Sequence, residues 1–236
     1  MAGPRPVTLQ STPQPIEIDL ARTAVICVDM QNAFIREGGM FDLAGWPTQG
    51  GRDSIEPCRK VIESARAAGV KVVFVRMAFK PGLTNAGGPD SPNYHKEVGM
   101  VLMHEHPEFT EQSVVDGTWG AQIVEELTPL PGEPVISKQR YSGFVGTDLD
   151  LVLKTLGVKY CLFIGGATNV CVANTLVDAF SHDYWPILIP GATFTQCPPV
   201  TVEATIWNVE NLYGWVASVD AVTAALGGPA VNSATD

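Results

Sequence analysis

Long apolar runs are missing from this sequence of 236 residues, and basic side chains are few. No run approaches the length that crosses a bilayer, and the N-terminal stretch lacks the apolar core of a signal peptide. Lys and Arg number 15 against 25 Asp and Glu, which gives a formal net charge of −10. A surface of this sign repels polyphosphate. We therefore expect a cytoplasmic protein that uses neither a membrane nor a nucleic acid as its partner.

Regular cysteine spacing is also missing. The five cysteines are an odd number without a paired pattern, which argues against a disulfide framework and for reduced thiols. Cys27 and Cys161 lie in apolar segments, and Cys58 falls on the apolar face of a predicted helix. Cys197 precedes two prolines. These four positions are typical of structural cysteines, whereas Cys171 follows a glycine turn between an apolar run and a helical pattern.

The composition predicts one large domain with flanking segments. Hydrophobic residues make up 45% and charged residues 17% of the chain, as in soluble globular proteins. Residues 1–20 contain four prolines and little periodicity, so we predict an arm that lies over the surface or a neighbouring subunit. Residues 21–226 form the predicted domain. The Gly/Ala/Ser-rich residues 227–236 form a predicted flexible tail.

Apolar runs alternate with helical patterns along the domain. Because each run is unbroken rather than alternating with polar residues, the pattern predicts parallel strands buried on both faces, in three α/β/α layers. The predicted strands are 23–28, 70–75, 134–137, 160–164, 185–189 and 215–219. The predicted helices are 54–68, 119–127, a segment beginning near 147, a segment beginning near 173, 201–213 and 220–226.

Three chemically able residues follow the ends of these strands: Asp29, Lys138 and Cys171. In parallel sheets ligands bind at the carboxyl ends of the strands, so we expect the three side chains to converge. Thr168 or Asn169 is the predicted N-cap of the helix that carries Cys171. The helix dipole there favours thiolate over thiol.

Such a set can hydrolyse an amide. Lys138 would stabilise the thiolate, Asp29 would move the proton, and Cys171 would attack the carbonyl and form a thioester. Each residue alone also has an ordinary interpretation: an aspartate that caps a loop, a solvated lysine and a packed cysteine.

Three motifs carry a resemblance to a known family. They are VDMQNAF at 28–34, SKQRYSGF at 137–144 and GGATNVCV at 165–172, and they are similar to those of the isochorismatase-like cysteine hydrolases. The resemblance implies a six-stranded parallel sheet of Rossmann-like order, and Asp29, Lys138 and Cys171 as the catalytic set. It also implies a cis peptide between Gly166 and Ala167, an oxyanion hole formed by the Ala167 and Cys171 amides, and subunits that form dimers or tetramers.

Further segments resemble the ureidoacrylate amidohydrolases of pyrimidine degradation, among them FDLAGW at 41–46 and AGGPDSPNYHK at 86–96. This resemblance implies a small ureido acid as substrate and release of ammonia. The substrate-binding residues expected from it are Phe34, Phe79, Asn93, Trp119 and Tyr141. Lys80 and Arg140 are further candidates for the anionic end of the substrate. Met77, Phe79 and Asn85 depart from the subgroup, which leaves the exact substrate open.

Other functions remain as alternatives. Nicotinamidases of the same family bind a metal through an Asp-x-His pair after the second strand, but RMAFKPG at 76–82 contains neither residue, and His104 and His106 have no matching acidic pair. GGATNVC lacks the spacing of a dinucleotide-binding turn. We therefore expect no metal and no cofactor. An amidase for N-carbamoylsarcosine, biuret or maleamate, or a non-catalytic binding protein, stays open.

Overall fold

A parallel sheet of six strands forms the centre of the computed structural model, which describes residues 3–227. The strands are β1 (Pro6–Leu9), β2 (Ile16–Asp19), β3 (Thr23–Val28), β4 (Lys71–Met77), β5 (Val135–Lys138), β6 (Tyr160–Gly166), β7 (Trp185–Phe194) and β8 (Trp215–Val216). The helices are α1 (Asn32–Ile35), α2 (Met40–Leu43), α3 (Gln49–Ala67), α4 (Pro92–Lys96), α5 (Val98–Glu105), α6 (Leu149–Thr155), α7 (Ala173–Ser181), α8 (Pro199–Asn208) and α9 (Val219–Ala225).

The order of the central sheet is β5-β4-β3-β6-β7-β8, and every neighbouring pair is parallel. This is a Rossmann-like order, so the predicted fold is confirmed. The order reverses beside β3, which is the point where such sheets place a ligand. Val28 at the end of β3 is in register with Val75 and Gly165, so neighbouring strands end at the same edge.

Apolar side chains cover both faces of the sheet, as the unbroken apolar strands predicted. All six residues of β3 are buried. On one face Val25 and Cys27 pack with α3 and α9, and on the other Ile26 and Val28 pack with α6 and α7. The sheet is therefore a rigid layer, and the loops at its carboxyl edge take their positions from it.

Some elements differ from the sequence predictions. The predicted helix 119–127 is wrong: among its residues only Glu125–Leu127 form a short 3₁₀ turn. The preceding backbone instead bonds to the start of α1, where the N–H groups of Asn32 and Ala33 donate to the carbonyls of Gln122 and Gly120 at 3.0 and 2.9 Å. Tertiary hydrogen bonds here override local helix propensity.

Residues 3–20 lie against the domain through a short two-stranded sheet. β1 and β2 pair antiparallel, and Leu9, Ile16 and Ile18 are buried in the same apolar cluster as α3. Of the predicted tail, the residues from 228 onward lie outside the described part of the chain. Within residues 3–227, no helix combines the length and the apolar character that crossing a membrane requires.

Candidate active site

Asp29 stands directly after β3, in a backbone conformation that aspartate tolerates better than most residues. Its φ is 49°, in the left-handed region. The adjoining Gln31 is fully buried and fixes the turn, because its side-chain amide donates to the Met77 carbonyl at 2.8 Å and accepts from the Met77 N–H at 2.8 Å. The Asp29 N–H also donates to the Val75 carbonyl at 2.8 Å. β4 thus holds the turn that aims the carboxylate.

Lys138 is the last residue of β5, and its side chain is fully buried. β4 separates β5 from β3, so the lysine reaches past one strand to the Asp29 carboxylate. Its Nζ lies 2.8 Å from Asp29 Oδ2 and 3.3 Å from Cys171 Sγ, and it donates to the Arg140 carbonyl at 3.2 Å. These partners match the three N–H groups of an ammonium.

Cys171 lies in a π-helical turn, Thr168–Val172, that leads from β6 into α7. The predicted N-cap residues do not cap this turn. The Thr168 hydroxyl donates to Thr193 Oγ1 at 2.8 Å, and Asn169 Oδ1 accepts from the Thr195 hydroxyl at 2.6 Å. Ala167 occupies the N-cap position, and the Gly166–Ala167 peptide bond is cis.

Burial decides the resting charge of the thiol. It raises the pKa of Cys171 well above the ordinary thiol value; the Lys138 ammonium opposes this shift and the Asp29 carboxylate adds to it. Lys138 thus acts in the direction that the sequence suggested, but burial is the larger influence on the pKa of Cys171. Burial lowers the pKa of Lys138, but the Asp29 carboxylate and the contacts with Asp29 and Cys171 outweigh burial and hold that pKa above its ordinary value.

The three side chains that the sequence placed at the sheet edge are thus in contact. A buried thiol needs a base before it can attack, and Asp29 Oδ1 has no hydrogen-bond partner among the described residues. Once the proton has moved, Lys138 balances the charge of the sulfur. This arrangement is able to generate a thiolate on demand and to return the proton to a leaving group.

A small cavity of about 70 Å³ opens beside the thiol. Its wall includes the turn Gly166–Ala167 and a group of apolar side chains. The remaining lining residues include Phe34, Phe41, Trp46, Met77, Val98, Val170, Phe194, Gln196 and Cys197. Lys138 lies behind this wall, so the lining itself contains no Lys or Arg among the described residues.

Two of the predicted substrate-binding residues line this cavity, Phe34 and Tyr141. Phe79 does not, because it is fully buried in the core. Asn93 instead donates to the Ala86 carbonyl at 2.9 Å and fixes the preceding loop. Trp119 lies at a separate surface depression beside Arg36.

The two basic candidates also lie elsewhere. Lys80 is exposed, and Arg140 Nη1 donates to the Gln139 carbonyl at 2.6 Å. Neither belongs to the lining of the cavity. Sequence proximity to a motif residue was a poor guide here, because adjacent residues on an extended chain point in opposite directions.

Sequence reasoning missed Glu97, a second buried carboxyl group in the cavity wall. It is 4% exposed and caps α5, where its Oε2 accepts from the Met100 N–H at 2.7 Å. Burial raises its pKa. Nearby, burial and the Glu97 charge raise the pKa of Tyr141 to about 12, so the phenol is neutral. The only signal in the sequence was an acidic residue just before the apolar run at 98–103.

The histidines weighed as metal ligands are engaged with aromatic rings. His104 packs against Tyr94 with ring centroids 4.1 Å apart, and His106 stacks on Phe109 at 4.7 Å. Within residues 3–227, no cluster of three or more His, Cys, Asp or Glu side chains has the arrangement of a metal site.

Comparison with known proteins gives a family for this site. The isochorismatase domain matches residues 23–221. The chain is 44% identical to ureidoacrylate amidohydrolase RutB of Rhizobium rhizogenes, over 91% of this chain and 87% of the relative. It is 42% identical to the same enzyme of Methylorubrum extorquens strain DM4, over 93% and 89%.

Solved structures resemble the fold as well. A cysteine hydrolase from Pseudomonas syringae pv. phaseolicola aligns with a TM-score of 0.74 at 25% identity, covering 89% of this chain and 94% of the other. N-carbamoylsarcosine amidase from Thermoplasma acidophilum aligns with a TM-score of 0.64 at 27% identity, covering 84% and 95%.

Proposed function

The chain belongs to the isochorismatase family and is a hydrolase of C–N bonds other than peptide bonds, and we propose that its substrate is a small ureido acid of the ureidoacrylate type. The observation that carries the proposal is the position of Lys138, whose Nζ contacts both Cys171 Sγ and Asp29 Oδ2. The similar enzymes are ureidoacrylate amidohydrolases, which supports a ureido acid as the substrate.

The proposed reaction begins with transfer of the Cys171 proton to Asp29. The thiolate, balanced by Lys138, attacks the carbamoyl carbon, and the N–H groups of Ala167 and Cys171 hold the resulting oxyanion. Asp29 returns the proton to the leaving nitrogen as the C–N bond breaks, and ammonia departs. The product remains on the sulfur as an S-carbamoyl thioester. Water then attacks the carbonyl, the C–S bond breaks, and the thiol and a carbamate are formed.

The orientation of the substrate follows from the charges. Asp29 and Glu97 lie in the wall, so a substrate carboxylate is repelled from their side of the cavity. We place the carbamoyl group at Cys171 and the carboxylate towards Gln196, whose side chain also donates to the Phe34 carbonyl at 3.3 Å. Lys80 and Arg140 take no part in this arrangement.

A substrate panel tests the proposal. Ammonia release is measured with ureidoacrylate, N-carbamoylsarcosine, biuret, maleamate and nicotinamide. We expect the highest kcat/KM for ureidoacrylate and background rates for nicotinamide. Cys171→Ala should abolish activity, whereas Cys197→Ala, which removes another thiol from the same wall, should retain it. Preference for maleamate or nicotinamide would reject the ureido acid, and activity in Cys171→Ala would reject the nucleophile.

We extend the proposal to assembly and location. Val200, Trp207 and Leu212 are 63%, 58% and 53% exposed on and after α8, and such a patch supports a homo-oligomer, a dimer or tetramer. Light scattering coupled to size-exclusion chromatography tests this, and a monomer at micromolar concentration would reject it.

All five cysteines are free thiols, which supports a location in the cytoplasm. Recovery of the protein in a secreted fraction would reject that location.

A further inference from the structure

Glu97 occupies a position in the cavity wall that a helix cap alone does not explain. Its carboxylate caps α5 through the Met100 N–H at 2.7 Å. Ser, Thr, Asn or Asp would cap the helix equally well, and these residues are the preferred caps. A buried carboxylate requires far more desolvation than a hydroxyl. The charge therefore calls for a second partner.

The packing around Glu97 holds the carboxylate in place. A Cβ added at Gly99 would lie 3.1 Å from Glu97 Oε2 and 3.1 Å from Val114 Cγ2. Gly99 thus gives the carboxylate room between α5 and Val114. The side chain is 4% exposed and borders the cavity together with Val98 and Tyr141. Its position is fixed before any substrate enters.

The electrostatics of the pocket leave Glu97 without its own cation. Burial raises the pKa of Glu97, and the Lys138 ammonium opposes this shift. The Lys138 Nζ, however, contacts Asp29 at 2.8 Å and Cys171 at 3.3 Å, so its hydrogen bonds go to those residues. The Tyr141 hydroxyl donates to the Lys96 carbonyl at 3.1 Å rather than to the Glu97 carboxylate. Most of the remaining wall is apolar. A carboxylate accepts more hydrogen bonds than the Met100 and Gly99 N–H groups supply, so the cavity side of Glu97 is suited to an N–H donor.

We propose that Glu97 is a specificity-determining residue that accepts a hydrogen bond from the inner N–H of a ureido substrate; this role rests on the proposed function. The inner N–H joins the carbamoyl carbon to the rest of the substrate and stays in place after ammonia has left. Glu97 binds it in the substrate complex and in the S-carbamoyl enzyme. An acid amide such as maleamate has no inner N–H, so Glu97 favours ureido compounds over it.

Two substitutions separate this role from helix capping. Glu97→Gln keeps the shape of the side chain, and its carbonyl can cap α5, but it turns an NH₂ donor towards the substrate N–H. Glu97→Ser retains a cap and removes the carboxylate. Glu105→Gln, an exposed carboxyl on the same helix, is the control. The assay compares kcat and KM for ureidoacrylate and maleamate, together with the midpoint of thermal unfolding.

We expect both Glu97 variants to raise the KM for ureidoacrylate about tenfold or more, since a hydrogen bond to a charged acceptor is lost. KM for maleamate and the unfolding midpoint should stay near wild-type values, and Glu105→Gln should change nothing. Equal loss on both substrates, or unchanged KM for ureidoacrylate, would overturn the role of Glu97 alone. A wild-type protein that hydrolyses maleamate but not ureidoacrylate would overturn the proposed function and this role together.

Discussion

The buried pair of Asp29 and Lys138 gives a prediction that can be worked out from the structure. The two side chains are 2% and 0% exposed, and Nζ and Oδ2 lie 2.8 Å apart. Lys138→Met removes the ammonium and keeps most of the apolar volume. The Asp29 carboxylate is then buried without a counter-ion, and we expect a loss of about 3–5 kcal/mol in the free energy of unfolding. Proteins of this kind have about 5–15 kcal/mol in total, so the variant should still fold.

A second substitution should restore much of this loss. In Asp29→Asn with Lys138→Met neither charge is present, and asparagine tolerates the φ of 49° at position 29. We expect the double variant to lie within about 2 kcal/mol of the wild type, because replacing both members of a buried pair is far less harmful than removing one. It should nevertheless be inactive, since both the base and the cation are gone.

Urea unfolding followed by tryptophan fluorescence measures these differences. Lys154→Met is the matched control, because Lys154 pairs with Asp150 at 2.7 Å but is 62% exposed. An exposed pair contributes at most about 1 kcal/mol. If Lys138→Met lost no more stability than Lys154→Met, the ammonium would not balance a buried carboxylate. Asp29→Asn alone completes the set, and if the double variant lost the sum of the two single losses, the two charges would not be coupled.

Two further predictions concern the thiol and the turn before it. Because burial raises the pKa of Cys171, alkylation of its thiol by iodoacetamide should be slow at neutral pH and become faster only above the ordinary thiol pKa. Alkylation should be slower still in Lys138→Met. Mass spectrometry measures the rate, and rapid alkylation at mildly acidic pH would refute this prediction. In Gly166→Ala the new Cβ would overlap the Phe194 ring, which lines the cavity, so kcat/KM should fall about tenfold or more. Gly88→Ala is the control, because a Cβ there meets no atom within 4 Å. Equal activity of the two variants would contradict this prediction.

The sheet and its reactive edge could be predicted because few physical rules determine them. Unbroken apolar runs such as Thr23–Val28 have no polar face to expose, so they pair inside a covered parallel sheet. The carboxyl ends of parallel strands then share an edge, so the sequence alone predicts that Asp29, Lys138 and Cys171 lie together. The cis bond at Gly166–Ala167 could be expected only from the resemblance, because no local pattern indicates it.

The wall of the cavity could not be predicted in the same way. Two of its residues, Glu97 and Val98, come from the long segment between β4 and β5, where turns and short helices carry little periodicity. Tertiary contacts decide there which side chains face the cavity: Glu97 does so because α5 begins at Val98, and Phe79 does not because its side chain is in the core. The same contacts replaced the predicted helix at 119–127 with turns and the short 3₁₀ segment Glu125–Leu127.

The protonation state of the Cys171 thiol depends on how deeply the fold buries it, which the sequence does not show. A helix end and a nearby ammonium each favour thiolate, and both are visible in the sequence. Burial opposes them, and its size depends on how completely the surrounding elements exclude water from Cys171, which is 8% exposed. Since burial prevails, the resting nucleophile keeps its proton. Asp29 is then the residue that activates the sulfur, and Lys138 acts once the charge has moved.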